Sequence, residues 1–235
     1  MSVLVLIPAR GGSKSVPRKN ICDLDGKPLI QYSIKTALDI PRACRTMVST
    51  DDQEIAEISK SLGAEVPFLR PPAISRDDST DKEFFLHAIN WLQANENWTP
   101  DLIVHLRPTT PFRDPQIVEE AIQTLENHNT ATALRSVHQV DLVPYKMFEV
   151  RDNLLHGYFP NHPWLEYYNL PRQRFPVAYD PNGYVDIIRP QVLDETGLLH
   201  GEQILAYIIP SPVIDIDSVQ DFLLAEKFLL DRSCK

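Results

Sequence analysis

Short apolar runs alternate with amphipathic segments along most of the chain. Residues 1–9 contain an unbroken apolar run, which is typical of a strand covered on both faces of a parallel sheet. Residues 28–40 and 52–62 place apolar side chains at helical spacing, and Pro28 suits the first turn of a helix. The same reasoning predicts further strands at 46–49, 64–69, 102–106, 131–137, 183–188 and 204–210, and further helices at 80–95, 115–127 and 218–230. Strands and helices that alternate over short connections indicate an α/β fold, a doubly wound and mostly parallel sheet.

The pattern changes between residues 138 and 176. Six prolines fall between Val143 and Pro181, together with a high density of aromatic residues. Rigid turns and large apolar rings disfavour both a helix and disorder. We therefore expect a protruding arm of irregular strands that packs against another surface, such as a second subunit. This interpretation divides the chain into an α/β domain, residues 1–137 and 177–235, and an arm, residues 138–176.

Composition limits the class of partner. The 235 residues carry 23 basic and 32 acidic side chains, a formal charge of −9, which disfavours binding to nucleic acid or anionic lipid. No segment approaches the ~18 apolar residues of a membrane span, and residues 3–7 are too short for the apolar core of a signal peptide. We expect a cytoplasmic protein without a membrane partner.

Cysteine and histidine give no metal or disulfide signal. Cys22, Cys44 and Cys234 are odd in number and lack C-x-x-C spacing, so we interpret them as reduced thiols. The seven histidines show no close pairing, and none is assigned to a metal.

A cationic loop follows the first strand. Residues 10–20 contain no acidic side chain, and in a chain of net charge −9 this cluster favours an anion, most naturally a polyphosphate. Gly11 and Gly12 would let the backbone approach such a ligand and point N–H groups at it. A solvated basic loop without a ligand is the alternative. Neither G-x-x-x-x-G-K-[ST] nor G-x-G-x-x-G is present, so the loop is neither a Walker loop nor a dinucleotide fingerprint. The cations are Arg10, Lys14, Arg18 and Lys19.

Two carboxylates near the C-terminus form a second candidate site. In extended backbone Asp215 and Asp217 point to the same side, away from the neighbouring isoleucines. Paired carboxylates beside a triphosphate suit Mg²⁺, which prefers oxygen ligands. The alternative is helix capping, because Ser218 and Asp221 resemble a capping box.

Polar residues also follow the other predicted strands. Asp52 and Thr80 could contact a base or ribose, but each is an equally good helix N-cap, and residue by residue that simpler role is favoured. Arg107 and Arg113 flank a proline-rich turn, for which a structural role and a ligand contact are both open.

The segment from Ile7 to Asn20 resembles the signature loop of the acylneuraminate cytidylyltransferases, the CMP-sialic acid synthetases. The resemblance implies a Rossmann-like nucleotidyltransferase fold. It also implies Mg²⁺-dependent transfer of a cytidylyl group from CTP to the anomeric hydroxyl of a nonulosonic acid, a nine-carbon α-keto acid sugar, with release of pyrophosphate. Shorter motifs support it along the chain: Ser49-Thr50-Asp51, Leu69-Arg70-Pro71, Pro108–Arg113, Pro171-Arg172-Gln173, Pro181-Asn182-Gly183 and Ile214–Asp217.

The resemblance also implies roles for individual residues. Arg10, Lys14 and Lys19 would hold the triphosphate and offset charge at the α-phosphorus, and Asp215 with the catalytic Asp217 would hold Mg²⁺. The implied nucleotide contacts are Ala9, Gly11, Gly12, Ser13, Asn20, Arg70, Thr80 and Arg107. The implied sugar contacts are Lys146, Arg172, Gln173 and Asn182. In this family the arm reaches a second subunit, so a homodimer is implied.

Five residues at four places in the chain depart from the family pattern. Arg107 stands where glutamine is common, and Asp186 replaces an aromatic residue. His200-Gly201 takes the place of two aromatic residues, and Asp180 that of a basic one. Because these changes lie on the sugar side, the acceptor is expected to be legionaminate, pseudaminate or another sugar rather than N-acetylneuraminate.

Two other functions stay open at this point. A nucleotidyltransferase that joins GTP or UTP to a sugar 1-phosphate shares a glycine-rich basic first loop, and Arg107 could serve the additional phosphate. A non-catalytic nucleotide-sugar-binding protein could keep the same fold. Lys19, Asp215 and Asp217 argue against the latter, because a pure binder gains little from a metal at a reacting phosphorus.

Overall fold

The computed structural model describes residues 1–210 and 212–233, and its centre is a six-stranded sheet. The ten strands are β1 (Val3–Pro8), β2 (Asp23–Leu24), β3 (Lys27–Pro28), β4 (Ala43–Ser49), β5 (Leu102–His105), β6 (Ala133–Val140), β7 (Phe148–Arg151), β8 (Leu154–Gly157), β9 (Ala178–Ile188) and β10 (Ile204–Ile208). The α-helices are α1 (Leu29–Leu38), α2 (Gln53–Ser61), α3 (Asp81–Glu96), α4 (Pro115–Glu126), α5 (Pro190–Thr196) and α6 (Val219–Ser233).

Strand directions confirm a mostly parallel sheet. The order is β10-β6-β9-β5-β1-β4; β1 runs parallel to β4 and β5, and β6 runs parallel to β10. Only β9 is reversed among the strands described in this sheet, since it is antiparallel to both β5 and β6. The carboxyl ends of β1, β4 and β5 therefore meet at one edge, where ligands bind in open α/β sheets.

Alternate residues of β1 enter two different cores. Val5 and its odd-numbered neighbours pack with α1, α2 and α4, whereas Leu4 and Leu6 pack with α3 and α5. Helices therefore cover both faces of the sheet, which confirms the doubly wound arrangement. The continuous apolar run at the start of the chain is explained by this two-sided burial.

Side-chain caps fix where the helices begin. Asp52 accepts hydrogen bonds from the N–H groups of Glu54 and Ile55 at the start of α2. Thr80 and Glu83 form a capping box at the start of α3. The capping roles favoured for Asp52 and Thr80 are confirmed.

The prediction of a strand at 64–69 is wrong. Only one bridge forms there, between Met47 of β4 and Glu65. Pro67 has no N–H group to donate, so the ladder along β4 does not extend past it.

The segment between β6 and β9 contains the hairpin β7–β8 and several single-turn 3-10 helices. Its rings stack on one another: Tyr145 lies 4.4 Å from Phe159 and 5.1 Å from Phe175, centroid to centroid. Val150, Leu155 and other apolar side chains of this segment remain exposed. The boundaries of the arm and its contact with a second subunit stay predictions.

The cysteines and the helices bear on two further predictions. Cys22 and Cys44 are free thiols, and Cys234 lies outside the described residues. None of the helices within the described part of the chain is both long and apolar enough to cross a bilayer.

Candidate active site

A cleft of about 440 Å³ opens where β1 and β5 end. Its walls come from the loop after β1, the segment between Arg70 and Phe84, the turn after β5, and Asp217 near the C-terminus. The topology thus brings together most of the predicted nucleotide and phosphate contacts. The predicted site residues that line the cleft are Arg10, Ser13, Lys14, Lys19, Asn20, Arg70, Thr80, Arg107 and Asp217.

Lys19 joins the two regions on which the sequence-based hypothesis depends. Its side chain is buried, and its Nζ donates to the backbone carbonyl of Ile216 at 2.8 Å and to Asp217 Oδ1 at 2.9 Å. The Asp217 side chain is 76% exposed, so the carboxylate keeps a face open to the cleft. The cationic loop and the C-terminal acidic segment therefore meet at one site.

The capping alternative for the C-terminal acids applies to a different carboxylate. Asp221 accepts hydrogen bonds from the N–H groups of Asp217 and Ser218 and from the Ser218 hydroxyl. The cap therefore involves the backbone N–H of Asp217, and the side chain of Asp217 is bonded to Lys19 instead. Asp215 is exposed, and its Oδ1 accepts from Thr110 Oγ1 at 3.4 Å.

No three acidic, histidine or cysteine side chains come together as a metal cage within residues 1–210 and 212–233. Of the two predicted metal ligands, Asp217 lines the cleft, whereas Asp215 is exposed two residues earlier and is not part of the lining; Asp77 and Asp81 are the other carboxylates there, and both are paired with cations. Such a set suits an ion that takes one or two carboxylates and fills its other positions with phosphate oxygens and water, as Mg²⁺ does.

Arg10 and Lys14 share one counter-ion across the cleft. Asp77 lies 3.0 Å from Arg10 NH1 and 2.5 Å from Lys14 Nζ. The hydrogen bond from Lys14, and the charges of Lys14 and Arg10, lower the pKa of the Asp77 carboxyl. The two cations predicted to bind the triphosphate thus share a carboxylate of the chain itself.

Arg18 corrects the expectation of a four-cation cluster. It lies in the left-handed region at φ 55° and pairs with Asp52 and Glu54, outside the cleft. The anion site therefore draws on the other three cations of the loop, and Arg18 fastens the loop to α2.

The glycine pair has two different environments. A Cβ on Gly11 would lie 2.8 Å from Asp52 Oδ2, whereas a Cβ on Gly12 would meet nothing within 4 Å. The N–H of Gly11 donates to Asp51 Oδ1 at 2.9 Å, and the N–H of Ala9 donates to Ser49 O. In this structure those two N–H groups therefore have protein partners, and Gly11 is needed for its small size.

Arg70 forms the inner wall of the cleft beside Phe84. It is 6% exposed, its guanidinium lies 5.5 Å from the Phe84 ring centroid, and its NH2 donates to Ser49 O at 3.0 Å. Burial lowers the pKa of Arg70, and its Nε has no partner among the described residues. Arg70 therefore lines the cleft with a guanidinium that keeps one buried donor unused. Asn20 lies nearby and donates from Nδ2 to Arg10 O.

Two of the positions that depart from the family pattern contact each other. Arg107 NH1 donates to Asp186 Oδ2 at 2.8 Å, and its NH2 donates to Asp81 Oδ2 at 2.8 Å. Asp186 is only 1% exposed and also accepts from Arg135 Nε at 3.2 Å. Burial alone lowers the pKa of Arg107, but the two carboxylates outweigh it and raise that pKa. Arg107 is thus a fixed cation at the cleft wall.

Arg113 has a structural role. It is buried and donates to the carbonyls of Tyr184, Gly183 and Arg107 at 2.5, 3.0 and 2.8 Å. Burial lowers the pKa of Arg113 to about 9. This hub ties the turn after β5 to β9 and leaves Arg107 as the arginine of that turn that faces the cleft.

The predicted sugar contacts do not line the cleft. Asn182 is buried, and its Oδ1 accepts from Ser136 Oγ at 2.6 Å. Arg172 is exposed in the arm and pairs with Asp141 at 2.8 Å, while Lys146 and Gln173 lie in 3-10 turns of the same segment. Contact of these residues with a sugar stays a prediction.

Two residues at or beside the cleft were not predicted from the sequence. Asp81 is the first residue of α3, and Arg135 lies within β6. Their partners, Arg107 for Asp81 and Asp186 for Arg135, are 26 and 51 positions away, and such pairs have no signature in spacing.

A family model described as Cytidylyltransferase matches residues 4–165. The chain belongs to this family. It is therefore a nucleotidyltransferase, and the family resemblance of the first loop is confirmed.

The chain is also similar to individual proteins along its whole length. It is 30% identical over 227 residues to the pseudaminic acid cytidylyltransferase of Campylobacter jejuni, covering 96% of this chain and 95% of that protein. It is 31% identical over 236 residues to the CMP-N,N'-diacetyllegionaminic acid synthase of Legionella pneumophila, covering 97% of each. The solved structure of CMP:2-keto-3-deoxy-manno-octonic acid synthetase complexed with CTP has the same fold, with a TM-score of 0.73 at 15% identity over 99% of this chain and 100% of that one.

Proposed function

We propose that this cytidylyltransferase moves the cytidylyl group of CTP to a nonulosonic acid of the sialic, legionaminic or pseudaminic type, giving a CMP-sugar and pyrophosphate. The contact between Lys19 and Asp217 carries the proposal, because it unites a cationic loop with an acidic segment in one cleft. The names of the C. jejuni and L. pneumophila relatives supply the acceptor class. Since CTP is a cytoplasmic nucleotide, the reaction implies a cytoplasmic enzyme.

The cations of the cleft perform the electrostatic work of the reaction. On this proposal the triphosphate would displace Asp77 from Arg10 and Lys14, and Lys19 would offset the charge that develops at the reacting phosphorus; the three ion pairs that these cations make support it. Phosphoryl transfer requires little covalent chemistry from a protein, so positioned charge is the main source of rate. Arg70 and Asn20 contact the nucleoside from the inner wall.

Asp215 and Asp217 would hold Mg²⁺. When bound, the ion would neutralise phosphate charge and favour departure of pyrophosphate. Lys19 holds one oxygen of Asp217 and so orients that carboxylate within the cleft.

The test is a matrix of nucleotides and acceptors. Each of the four NTPs is incubated with a panel of nonulosonic acids and of sugar 1-phosphates, and pyrophosphate release is measured with and without Mg²⁺. Release that requires CTP, an acid and the metal supports the proposal. Release from GTP or UTP with a sugar phosphate overturns it in favour of the alternative transferase, and nucleotide binding without any release favours a sensor.

We also propose a homodimer that forms through the arm. Val150, Leu154, Leu155 and Leu165 are each more than 60% exposed on one short segment, a large apolar surface for a monomer. Sedimentation equilibrium tests this: a single species of twice the 26.8 kDa chain mass is expected, and Leu155→Glu with Leu165→Glu should convert it to a monomer. A monomer at all concentrations would contradict the dimer, but it would not bear on the proposed transfer of a cytidylyl group.

A further inference from the structure

Ile216 fixes the backbone between the two carboxylates of the C-terminal acidic segment. Its side chain is fully buried in an apolar cluster that includes residues of α1 and α6. Its N–H donates to Thr109 O at 2.7 Å, and its carbonyl accepts from Lys19 Nζ at 2.8 Å. The backbone and the side chain are therefore both held at this one residue, between Asp215 and Asp217.

Each of the two carboxylates accepts one hydrogen bond from a side chain, and both bonds use Oδ1. Lys19 Nζ donates to Asp217 at 2.9 Å, and Thr110 Oγ1 donates to Asp215 at 3.4 Å. The Oδ2 atoms of the two carboxylates make no hydrogen bond or ion pair with residues 1–210 or 212–233. Both acidic residues are exposed. One oxygen of each carboxylate is thus oriented by the protein, and the other is open to a bound group.

Thr110 is itself fixed by the fold around it. It is 1% exposed, and its N–H donates to Arg107 O at 3.2 Å within the turn after β5. Gly183 of β9 packs so closely that a Cβ there would lie 3.1 Å from Thr110 Oγ1. Arg113 donates to the carbonyls of both Arg107 and Gly183 and so joins the turn to that strand. The Thr110 hydroxyl therefore has little freedom to follow the Asp215 carboxylate if that side chain rotates.

The bond between Thr110 and Asp215 limits a rotation more than it stabilises the fold. At 3.4 Å it is long for a hydrogen bond between two oxygens, and its acceptor is exposed to water, so its contribution to stability is small. A carboxylate that is already oriented loses less side-chain entropy when it binds a ligand. The contact is therefore suited to preparing Asp215 for a bound group.

We propose that Thr110 is the positioning residue for Asp215, as Lys19 is for Asp217. Hydrogen bonds that orient the carboxylates of a metal site raise its affinity for the metal. The inference rests on the proposed function, because that function assigns Mg²⁺ to Asp215 and Asp217. It adds a residue that does not line the cleft and acts through the carboxylate it bonds.

Two substitutions of Thr110 test this role. Thr110→Val removes the hydroxyl and keeps the shape of the side chain, whereas Thr110→Ser keeps a hydroxyl. Mn²⁺ is the probe, and its binding to the complex of the protein with CTP, without acceptor, is titrated by electron paramagnetic resonance. We expect Thr110→Val to raise the Kd for Mn²⁺ roughly tenfold and Thr110→Ser to stay within about twofold of the wild type.

Two further measurements accompany the titration. The Mg²⁺ concentration that gives half-maximal pyrophosphate release should rise in parallel with the Kd for Mn²⁺, and the Kd for CTP in EDTA should be unchanged. An unchanged Kd for Mn²⁺ in Thr110→Val overturns the inference. A lower free energy of unfolding with unchanged Mn²⁺ binding overturns it as well, because Asp215 would then only satisfy the buried hydroxyl. Should Thr110→Val not fold, Thr110→Ala removes the hydroxyl without a branched side chain and replaces it.

Thr36→Val is the matched control. Thr36 is also a buried threonine, but its hydroxyl donates to Tyr32 O within α1, outside the cleft. We expect this variant to bind Mn²⁺ like the wild type. An equal loss of Mn²⁺ affinity in Thr36→Val would show a general effect of removing a buried hydroxyl and would overturn the inference.

A double-mutant cycle asks whether Thr110 acts through Asp215. Thr110→Val is combined with Asp215→Asn, and the Kd for Mn²⁺ is compared with that of Asp215→Asn alone. We expect the second substitution to add nothing, since residues that act as one unit have non-additive effects. A further loss as large as that in the wild-type background overturns the positioning role.

Failure of the two proposals is distinguishable. Pyrophosphate release that depends on Mg²⁺ equally in the wild type and in Thr110→Val overturns the role of Thr110 alone. Release that needs no metal, or a wild-type complex with CTP that binds no Mn²⁺, overturns the metal role of Asp215 and Asp217 and the role of Thr110 with it.

Discussion

Lys19 and Asp217 lie 198 positions apart in the chain and 2.9 Å apart in the fold. Lys19 is buried, whereas the Asp217 side chain is 76% exposed, so the ion pair holds a solvated carboxylate at a fixed point of the cleft wall. A pair of this kind contributes little to stability, because its acidic member stays in water. Its position at the junction of the first loop and the C-terminal segment is better explained by chemistry.

Lys19→Ala should lower kcat/KM with CTP, because a preorganised cation is removed from the reacting phosphates. We expect the loss to correspond to about 2–4 kcal/mol of transition-state stabilisation. Steady-state pyrophosphate release checks this, with Lys27→Ala as the control. Lys27 is half exposed and lies 4.0 Å from Asp25, outside the cleft. A change confined to the Kd for CTP would instead make Lys19 a ground-state contact.

Asp217→Ala should abolish turnover and shift the free energy of unfolding by less than about 1 kcal/mol, since the lost ion pair is largely solvated. Activity titrated with Mg²⁺ and urea unfolding are the two measurements. Asp221→Asn is the control, because it weakens the cap of α6 at Ser218. It should lower the free energy of unfolding by about 0.5–1 kcal/mol and leave the dependence of activity on Mg²⁺ concentration unchanged. Normal turnover in Asp217→Ala would refute the metal role.

Gly11→Ala should destabilise the protein by about 1–3 kcal/mol, the usual cost of overpacking. The new Cβ would lie 2.8 Å from Asp52 Oδ2 and 2.9 Å from Asp52 Cβ, at the N-cap of α2. Gly12→Ala adds the same group into open space and should leave stability unchanged. Urea titration of both variants compares them, and equal stability would mean that the first loop shifts freely away from α2.

Asp77→Asn should tighten CTP binding severalfold, because the triphosphate no longer competes with a carboxylate for Arg10 and Lys14. Isothermal titration calorimetry at low and high salt measures the effect, which should shrink as ionic strength rises. Asp78→Asn changes the net charge equally, and the described residues show no ion pair at that position. Identical gains in both variants would indicate a general charge effect rather than release of a counter-ion.

Acid should destabilise the protein below pH 4. Hydrogen bonds from Ser2 to Asp101 and from Ser218 to Asp221 lower the pKa of both carboxyls from the ordinary 3.8. Because the folded state then binds fewer protons than the unfolded state, their contribution is present above about pH 4 and is lost as pH falls through the folded pKa values. Urea unfolding between pH 3 and 7 should show a plateau and then a decline that is shallower in Asp101→Asn; a flat profile to pH 3 would contradict this.

The sequence was sufficient to predict those helices and strands whose position is set by residues close together in the chain. The starts of α2 and α3 follow from the capping side chains of Asp52 and Thr80, and the two-sided burial of β1 follows from its continuous apolar run. The strand expected at 64–69 failed because Pro67 outweighs its apolar neighbours. The reversed direction of β9 has no local signal, since parallel and antiparallel strands share the same composition when both faces are covered.

The candidate site was predictable where charge clusters within a few positions, as in the loop that carries Arg10 and Lys14. It was not predictable where partners are distant. Arg107 and Asp186 each departed from the family pattern separately, and the structure shows them as one hydrogen-bonded pair. The prediction that Arg18 belongs to the anion site was wrong for the same reason. The two carboxylates that pair with it lie on α2 and at the N-cap of that helix.

The eleven residues of β9 run from Ala178, where the chain returns from the arm, to Ile188 in the middle of the sheet, and they include Asp186. The strand pairs with β6 at both of its ends, but with β5 only from Asp186 to Ile188, and its register with β6 shifts between Arg135 and Val137. The carboxylate that holds Arg107 therefore lies on the strand that leads out of the arm, in the short stretch of that strand where both neighbouring strands are hydrogen-bonded to it.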